Sequence, residues 1–216
     1  MKNCFTRQLI VGGLALILSY LFFLSRGQWD PMHAWNRAFG DVSLLFLSVI
    51  MLLGTLSKIF KSLTKWLVWR RELGVWTGVT AIVHIIIILD GWIQWQMFRL
   101  FFVFSNFVAD WVLHPGFALG NILGIVALVY VLILMVTSND LSIKLMGNRA
   151  WSYVQQRAHI FYVLVVLHTS YFLYLHNPEA PNWLRTPFII LITFIWLTHL
   201  VAFFVTISKN SQKIRA

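Results

Sequence analysis

Six stretches of predominantly apolar residues, each near the ~20 that a bilayer's hydrocarbon core requires, dominate this chain. They fall at about 8–25, 41–60, 73–93, 117–137, 155–175 and 186–207 of its 216 residues. In lipid a backbone must satisfy its own polar groups, and runs of this length do so as helices. Composition agrees: 59% of residues are hydrophobic and 11% charged, whereas a soluble domain carries roughly 25% charged residues. The expected fold is all-α, a polytopic membrane bundle of six transmembrane helices in one domain spanning 1–216.

The formal net charge of +10 raises the question of nucleic acid. The basic residues, however, lie between the apolar runs and at the two ends, the pattern of a membrane protein's cytoplasmic side. With the N-terminus inside, Lys2, Arg7, Lys58, Lys61, Lys65, Arg70, Arg71, Lys144, Arg149, Arg157, Lys209, Lys213 and Arg215 are cytoplasmic. Only Arg26, Arg37, Arg99 and Arg185 fall outside, thirteen against four. Both termini are therefore expected in the cytoplasm, with the lipid bilayer rather than nucleic acid as the surrounding partner. A multi-pass location in a bacterial inner (plasma) membrane is expected. Lys2 and Arg7 precede the first run, but no small-x-small pattern follows Leu24, so an uncleaved first span is expected. The single cysteine, Cys4, excludes an internal disulfide framework and a Cys-ligated iron–sulfur cluster.

Between spans, Gly27–Gly40 (GQWDPMHAWNRAFG) reads as a polar, aromatic outer loop. The stretch 94–116 is aromatic but interrupted by Arg99, Asn106 and Asp110, so an amphipathic segment in the outer interface is expected. His114-Pro115-Gly116 then breaks the chain and starts the fourth span. No low-complexity tract or internal repeat is apparent. Glycines recur four apart at Gly74 and Gly78, and at Gly116, Gly120 and Gly124. Such ladders permit close helix approach; the sharper reading is room for a flat macrocycle beside the backbone.

Of seven histidines, four lie in spans: His84, His159, His168 and His199. An ionisable group inside hydrocarbon is costly and marks a functional site by default. His84 is about 11 residues into span three and His168 about 13 into span five, counted from the same side. At ~1.5 Å rise per residue they share a depth to within roughly 3 Å. Two imidazoles at one depth on neighbouring helices suit bis-histidine ligation of heme iron. His159 is nine residues before His168, which at ~100° per residue puts it on the opposite helix face. It reads as an interface or packing residue, and His199 as a reserve ligand. His33, His114 and His176 lie in outer loops, where they could assist a propionate or a substrate. Arg37, also at the outer face, could hold a propionate in its planar fork. Carboxylates sit only at span ends (Asp41, Asp90, Glu72, Asp140), which weakens a proton-coupled transporter. No GxSxG or HExxH motif supports hydrolysis.

The segments HAWNRAFGD (33–41), WRRELGVWTGVTAIVH (69–84), TSNDLSIKLMGNRAW (137–151) and the run from Trp151 to His168 resemble the ferric reductase-like transmembrane domain family. Within it, the likeness is greatest to heme-binding membrane subunits of methionine-sulfoxide reductase systems. The resemblance covers 33–176 and implies b-type heme between two helices, with His84 and His168 as axial ligands. Gln155 stands where members with a second heme carry a further histidine, and a Gln amide is a poor iron ligand, so one heme b is expected. The resemblance implies an electron-transfer (oxidoreductase) subunit. No GxGxxG or other flavin or nicotinamide signature occurs, so the donor would be a separate flavoprotein, free flavin or quinol, with an acceptor at the outer face. A metal chelate reduced directly at that face is a further option. The alternative from another class is a non-redox transporter or assembly subunit whose histidines pack or relay protons.

Overall fold

The computed structural model describes residues 2–215. The side chains of Lys2, Lys213 and Arg215, counted in the charge argument above, lie outside the described residues. Among the described residues, six helical segments are long and apolar enough to cross a membrane. Helix α1 (Lys2–Leu24) leads to α2 (Pro31–Ile59), a 3₁₀ segment at Lys61–Trp69, and α3 (Arg70–Ile87), which runs on as a π-turn over Ile88–Trp92. Strands β1 (Phe102–Ser105) and β2 (Asp110–Leu113) form an antiparallel hairpin. Helix α4 (Pro115–Val136) precedes α5 (Asp140–Gln156) and α6 (Ala158–Ser170), with a second π-turn at Tyr171–Leu175 and then α7 (Arg185–Arg215).

Two expectations are corrected here. The outer loop 27–40 is mostly helix: α2 begins at Pro31, ten residues earlier than hydropathy indicates. Asp30 is its N-cap, its carboxylate accepting from the backbone N–H groups of Met32 and His33 at 3.1 and 3.2 Å, and Pro31 fills the first helical position. Averaged hydropathy misses this turn because Asn36, Arg37 and Asp41 face the protein interior rather than lipid. The second concerns the 94–116 stretch, expected as an amphipathic segment in the outer interface, which takes the form of a short 3₁₀ turn at Met97–Leu100 and the β1–β2 hairpin. Its aromatic and β-branched residues favour strand, and they pair across it, Phe104 opposite Trp111 and Val103 opposite Val112.

A repeat also becomes legible. Asp30-Pro31 opens α2 and His114-Pro115 opens α4; Gly40 and Gly124 follow, then His84 and His168, each pair 84 positions apart. A π-turn follows each histidine within four residues. Helix α2 packs chiefly on α3, and α4 on α6. The chain thus contains two helix pairs built alike. Few side chains are shared between them, which is why sequence alone shows no repeat.

The two ends of this bundle differ. At the end carrying Lys58, Arg70 and Arg71, the interior is filled by Leu47, Met51, Val131, Phe161, Tyr162 and Ile195. Helix α1 is held there by an ion pair from Arg7 to the fully buried Glu72 at 2.9 Å, and by Trp76 Nε1 donating to the Gln8 carbonyl at 3.1 Å. Removing one partner of a buried pair costs roughly 3–5 kcal/mol, because the other charge stays buried alone. Arg71 bonds Asp140 and the Ser138 carbonyl, joining α3 to the α4–α5 corner. Helix α5 has an even mix of polar and apolar residues and bends at Gly147, whose φ of 75° suits glycine. At the opposite end, where α2 and α4 begin, the interior opens.

Candidate heme site

The open end holds a cavity of about 350 Å³ between α2, α3, α4 and α6. His84, His168 and Arg37 all line it, as do His33 and His176. His84 comes from α3 and His168 from α6. Carbon atoms make up most of the remaining wall, from residues such as Leu128, Val131, Phe161 and Phe172.

Each histidine is seated in the same way. His84 Nδ1 lies 2.8 Å from the Asn36 carbonyl, and His168 Nδ1 lies 2.8 Å from the Gly120 carbonyl. A carbonyl only accepts, so in the neutral ring the proton sits on Nδ1 and Nε2 keeps its lone pair. That is the tautomer a metal-binding imidazole needs, with the second nitrogen oriented by a backbone acceptor. The Asn36 amide also donates to the His84 carbonyl at 3.0 Å, joining α2 to α3 beside the imidazole.

One helical turn beyond each accepting carbonyl stands a glycine. A Cβ on Gly40 would lie 3.1 Å from His84 Nδ1, and a Cβ on Gly124 would lie 2.7 Å from His168 Nδ1 and Cε1. Gly116 and Gly120 face Tyr171 in the same manner. The α4 glycine ladder therefore makes room for the rings of His168 and Tyr171, which is the close-approach reading of it; the space it opens is filled by these side chains. Gly78 on α3 faces Met135, an ordinary packing contact.

Charge is confined to one wall. Arg26, in the turn after α1, forms an ion pair with Asp41 on α2 and is only 1% exposed. Among the described residues its Nε and Nη1 have no hydrogen-bond partner. Arg37, one turn before Asp41, lies over the Trp29 ring at 3.9 Å from its centroid. The positions 84 residues later, Asn121 and Ile125, also line the cavity and are uncharged. Over the mouth, Trp92 meets the edge of His33 at 4.9 Å, and Phe117 stacks on His176 at 5.2 Å. Burial, followed by the charges of Arg37 and His114, pushes the His176 imidazole below its usual pKa.

The remaining histidines lie elsewhere. His159 and His199 meet each other edge-on, with ring centroids 5.7 Å apart, and neither lines the cavity. Each Nδ1 is taken up by a carbonyl of its own chain neighbourhood, Gln156 at 3.1 Å and Ile195 at 2.8 Å. His114 caps α4, its Nδ1 accepting from the Phe117 N–H at 3.1 Å. Gln155 donates to the Leu134 carbonyl and to Thr137, and sits in packed protein. Sequence reasoning missed Arg26, Asn36 and Gly40, all in or beside a segment read as loop. The 84-residue recurrence of Pro, Ala, Gly and His was the signal that could have found Asn36 and Gly40.

The site's donor set and shape suit a heme. Two imidazoles with Nδ1 engaged by backbone carbonyls line it, the walls are largely apolar, and one side carries guanidinium nitrogens that have no partner among the described residues.

Comparison with known proteins places this arrangement. A 165-residue stretch is 25% identical to Magnetosome protein MamZ of Paramagnetospirillum magneticum (strain ATCC 700264 / AMB-1), covering 72% of this chain and 22% of that protein. The chain thus spans about a fifth of the length of the curated relative it matches. Residues 39–167, more than half of the chain, match the family model described as the ferric reductase like transmembrane component. This six-helix membrane protein therefore belongs to the ferric reductase-like transmembrane family.

Proposed function

We propose that the chain is a membrane b-type cytochrome that holds one heme through His84 and His168 and serves as an electron-transfer subunit. The observation that carries this reading is the paired seat. Two imidazoles, each fixed by a backbone carbonyl at 2.8 Å and each accommodated by a glycine, line one apolar cavity. When bound, heme supplies a one-electron ferric/ferrous couple. The chain's own residues do the rest. His84 and His168 would hold the iron through imidazole nitrogen, the Asn36 and Gly120 carbonyls would keep the proton on Nδ1, and Arg37 would offer its fork to a carboxylate. The packed interior at the other end, with Gln155 engaged by its neighbours, supports one heme rather than two.

Family membership supports a redox role and implies partners. We take the donor to be a separate flavoprotein, free flavin or quinol, and the acceptor to meet the cavity mouth. The charge distribution favours cytoplasmic termini in a bacterial inner membrane, which puts the cavity in the outer half.

Electron paramagnetic resonance of the oxidised protein tests the ligation. Low-spin ferric signals of a bis-imidazole site are expected in wild type. They should vanish or turn high-spin in both His84→Ala and His168→Ala, while His159→Ala and His199→Ala leave them intact. A low-spin signal that survives in either of the first two variants overturns the assignment. Purified protein without heme, despite adequate supply, overturns the cytochrome and favours a non-redox role for the histidines.

A further inference from the structure

We infer that Arg26, together with Arg37, forms a carboxylate clamp on the α1–α2 wall that holds the heme propionates and fixes which edge of the macrocycle faces that wall. This deepens the cytochrome reading and rests on it. Neither arginine lies within residues 39–167, so the family match does not assign them.

Three observations lead here. First, Arg26 is buried to 1% exposure and lines the cavity; its Nη2 bonds Asp41 and its guanidinium lies 5.6 Å from the Trp183 ring centroid, while Nε and Nη1 have no acceptor among the described residues. Buried guanidinium hydrogens without an acceptor are costly, and carboxylate oxygens, which accept only and carry charge, are strong acceptors for them. Second, the wall carries two arginines and one carboxylate, Arg26, Arg37 and Asp41, leaving one positive charge uncompensated. A buried charge in an apolar cavity calls for a counter-charge. A ligand that also fills the apolar remainder must be amphipathic, with a flat hydrocarbon body and an anionic edge. Third, the charge is one-sided. The two halves seat their histidines alike, but Asn121 and Ile125 stand where Arg37 and Asp41 recur. Two matching imidazole seats alone would accept a ring either way round; the arginines distinguish the orientations. Asp41 holds Arg26 in place, so it acts as a positioning residue for the clamp.

Hemin dimethyl ester keeps the iron and the macrocycle but replaces both propionate carboxylates with neutral methyl esters, so the preference between the two, compared across variants, reports the clamp. Titration into heme-depleted full-length protein in detergent should show wild type binding hemin about 10–100-fold more tightly than the ester, as charge-assisted hydrogen bonds imply. Arg26→Gln/Asp41→Asn removes the ion pair without stranding a buried carboxylate. It should weaken hemin about tenfold or more and leave the ester unchanged. Adding Arg37→Gln should remove the remaining preference. Equal affinity of wild type for the two ligands overturns the clamp and needs no variant to be folded. So does a variant that loses hemin and ester equally while keeping its helical circular dichroism. Failure of both ligands to bind wild type would instead sink the cytochrome reading itself.

Discussion

A ligand histidine in a membrane helix is defined as much by what its far nitrogen touches as by its depth. Depth could be counted along the sequence, and it selected His84 and His168. The carbonyls that fix their tautomer could not, because Asn36 and Gly120 lie on other helices. The glycines were visible in part: the α4 ladder stood out, but Gly40 stood in a segment read as loop, and packing was the bland explanation for all of them. Their steric roles differ in severity. A Cβ at Gly124 would lie 2.7 Å from the His168 ring and one at Gly40 3.1 Å from His84 Nδ1. Gly124→Ala should therefore lower heme occupancy more than Gly40→Ala, measured as heme per folded chain; the reverse order would contradict the seating. His176 allows a pH test. Its folded pKa lies below the usual 6.5, so the unfolded chain takes up the proton first as pH falls. Stability is then lost as pH drops through about 6.5. In His176→Gln the fall in thermal midpoint between pH 7.5 and 5.5, on the order of two units centred on the histidine range, should be smaller than in wild type.

Helices read well from hydropathy wherever a face meets lipid, and poorly where polar residues face inward. The first turns of α2 carry Asn36, Arg37 and Asp41, so an averaged window places their start too late; the Asp30-Pro31 cap was the local cue that outweighed it. That cap predicts a measurable effect. Asp30→Ala should cost about 1 kcal/mol in detergent unfolding, together with lower heme occupancy, since the frayed turn leads directly to the Asn36 carbonyl. An unchanged unfolding midpoint would show that the bilayer-facing packing of α2 sets its start. The β1–β2 hairpin was missed for a different reason. Aromatic residues broken by Arg99, Asn106 and Asp110 satisfy an interfacial helix and a hairpin equally, and only cross-strand pairing separates the two. The repeat escaped because it is carried by backbone roles, a cap, a seat and a ligand, with different side chains in the supporting positions.

At the scale of the whole molecule the two ends divide the work. One end is solid apolar packing locked by Arg7–Glu72 and Arg71–Asp140, and the other opens into a cavity with paired imidazoles and a one-sided charge. Six membrane-spanning helices were legible from composition and length, as was the family from loosely spaced motifs. A partner's identity was not, since no side chain inside the bundle encodes it. On the proposed reading, this bundle holds a single heme between two equivalent seats. The most direct test is a reduced-minus-oxidised optical spectrum of the purified protein, with heme counted per chain, in wild type, His84→Ala and His168→Ala. A b-type spectrum at about one heme per chain is expected in wild type, lost in both variants. Two hemes per chain, or a b-type spectrum that persists in either variant, would contradict that reading.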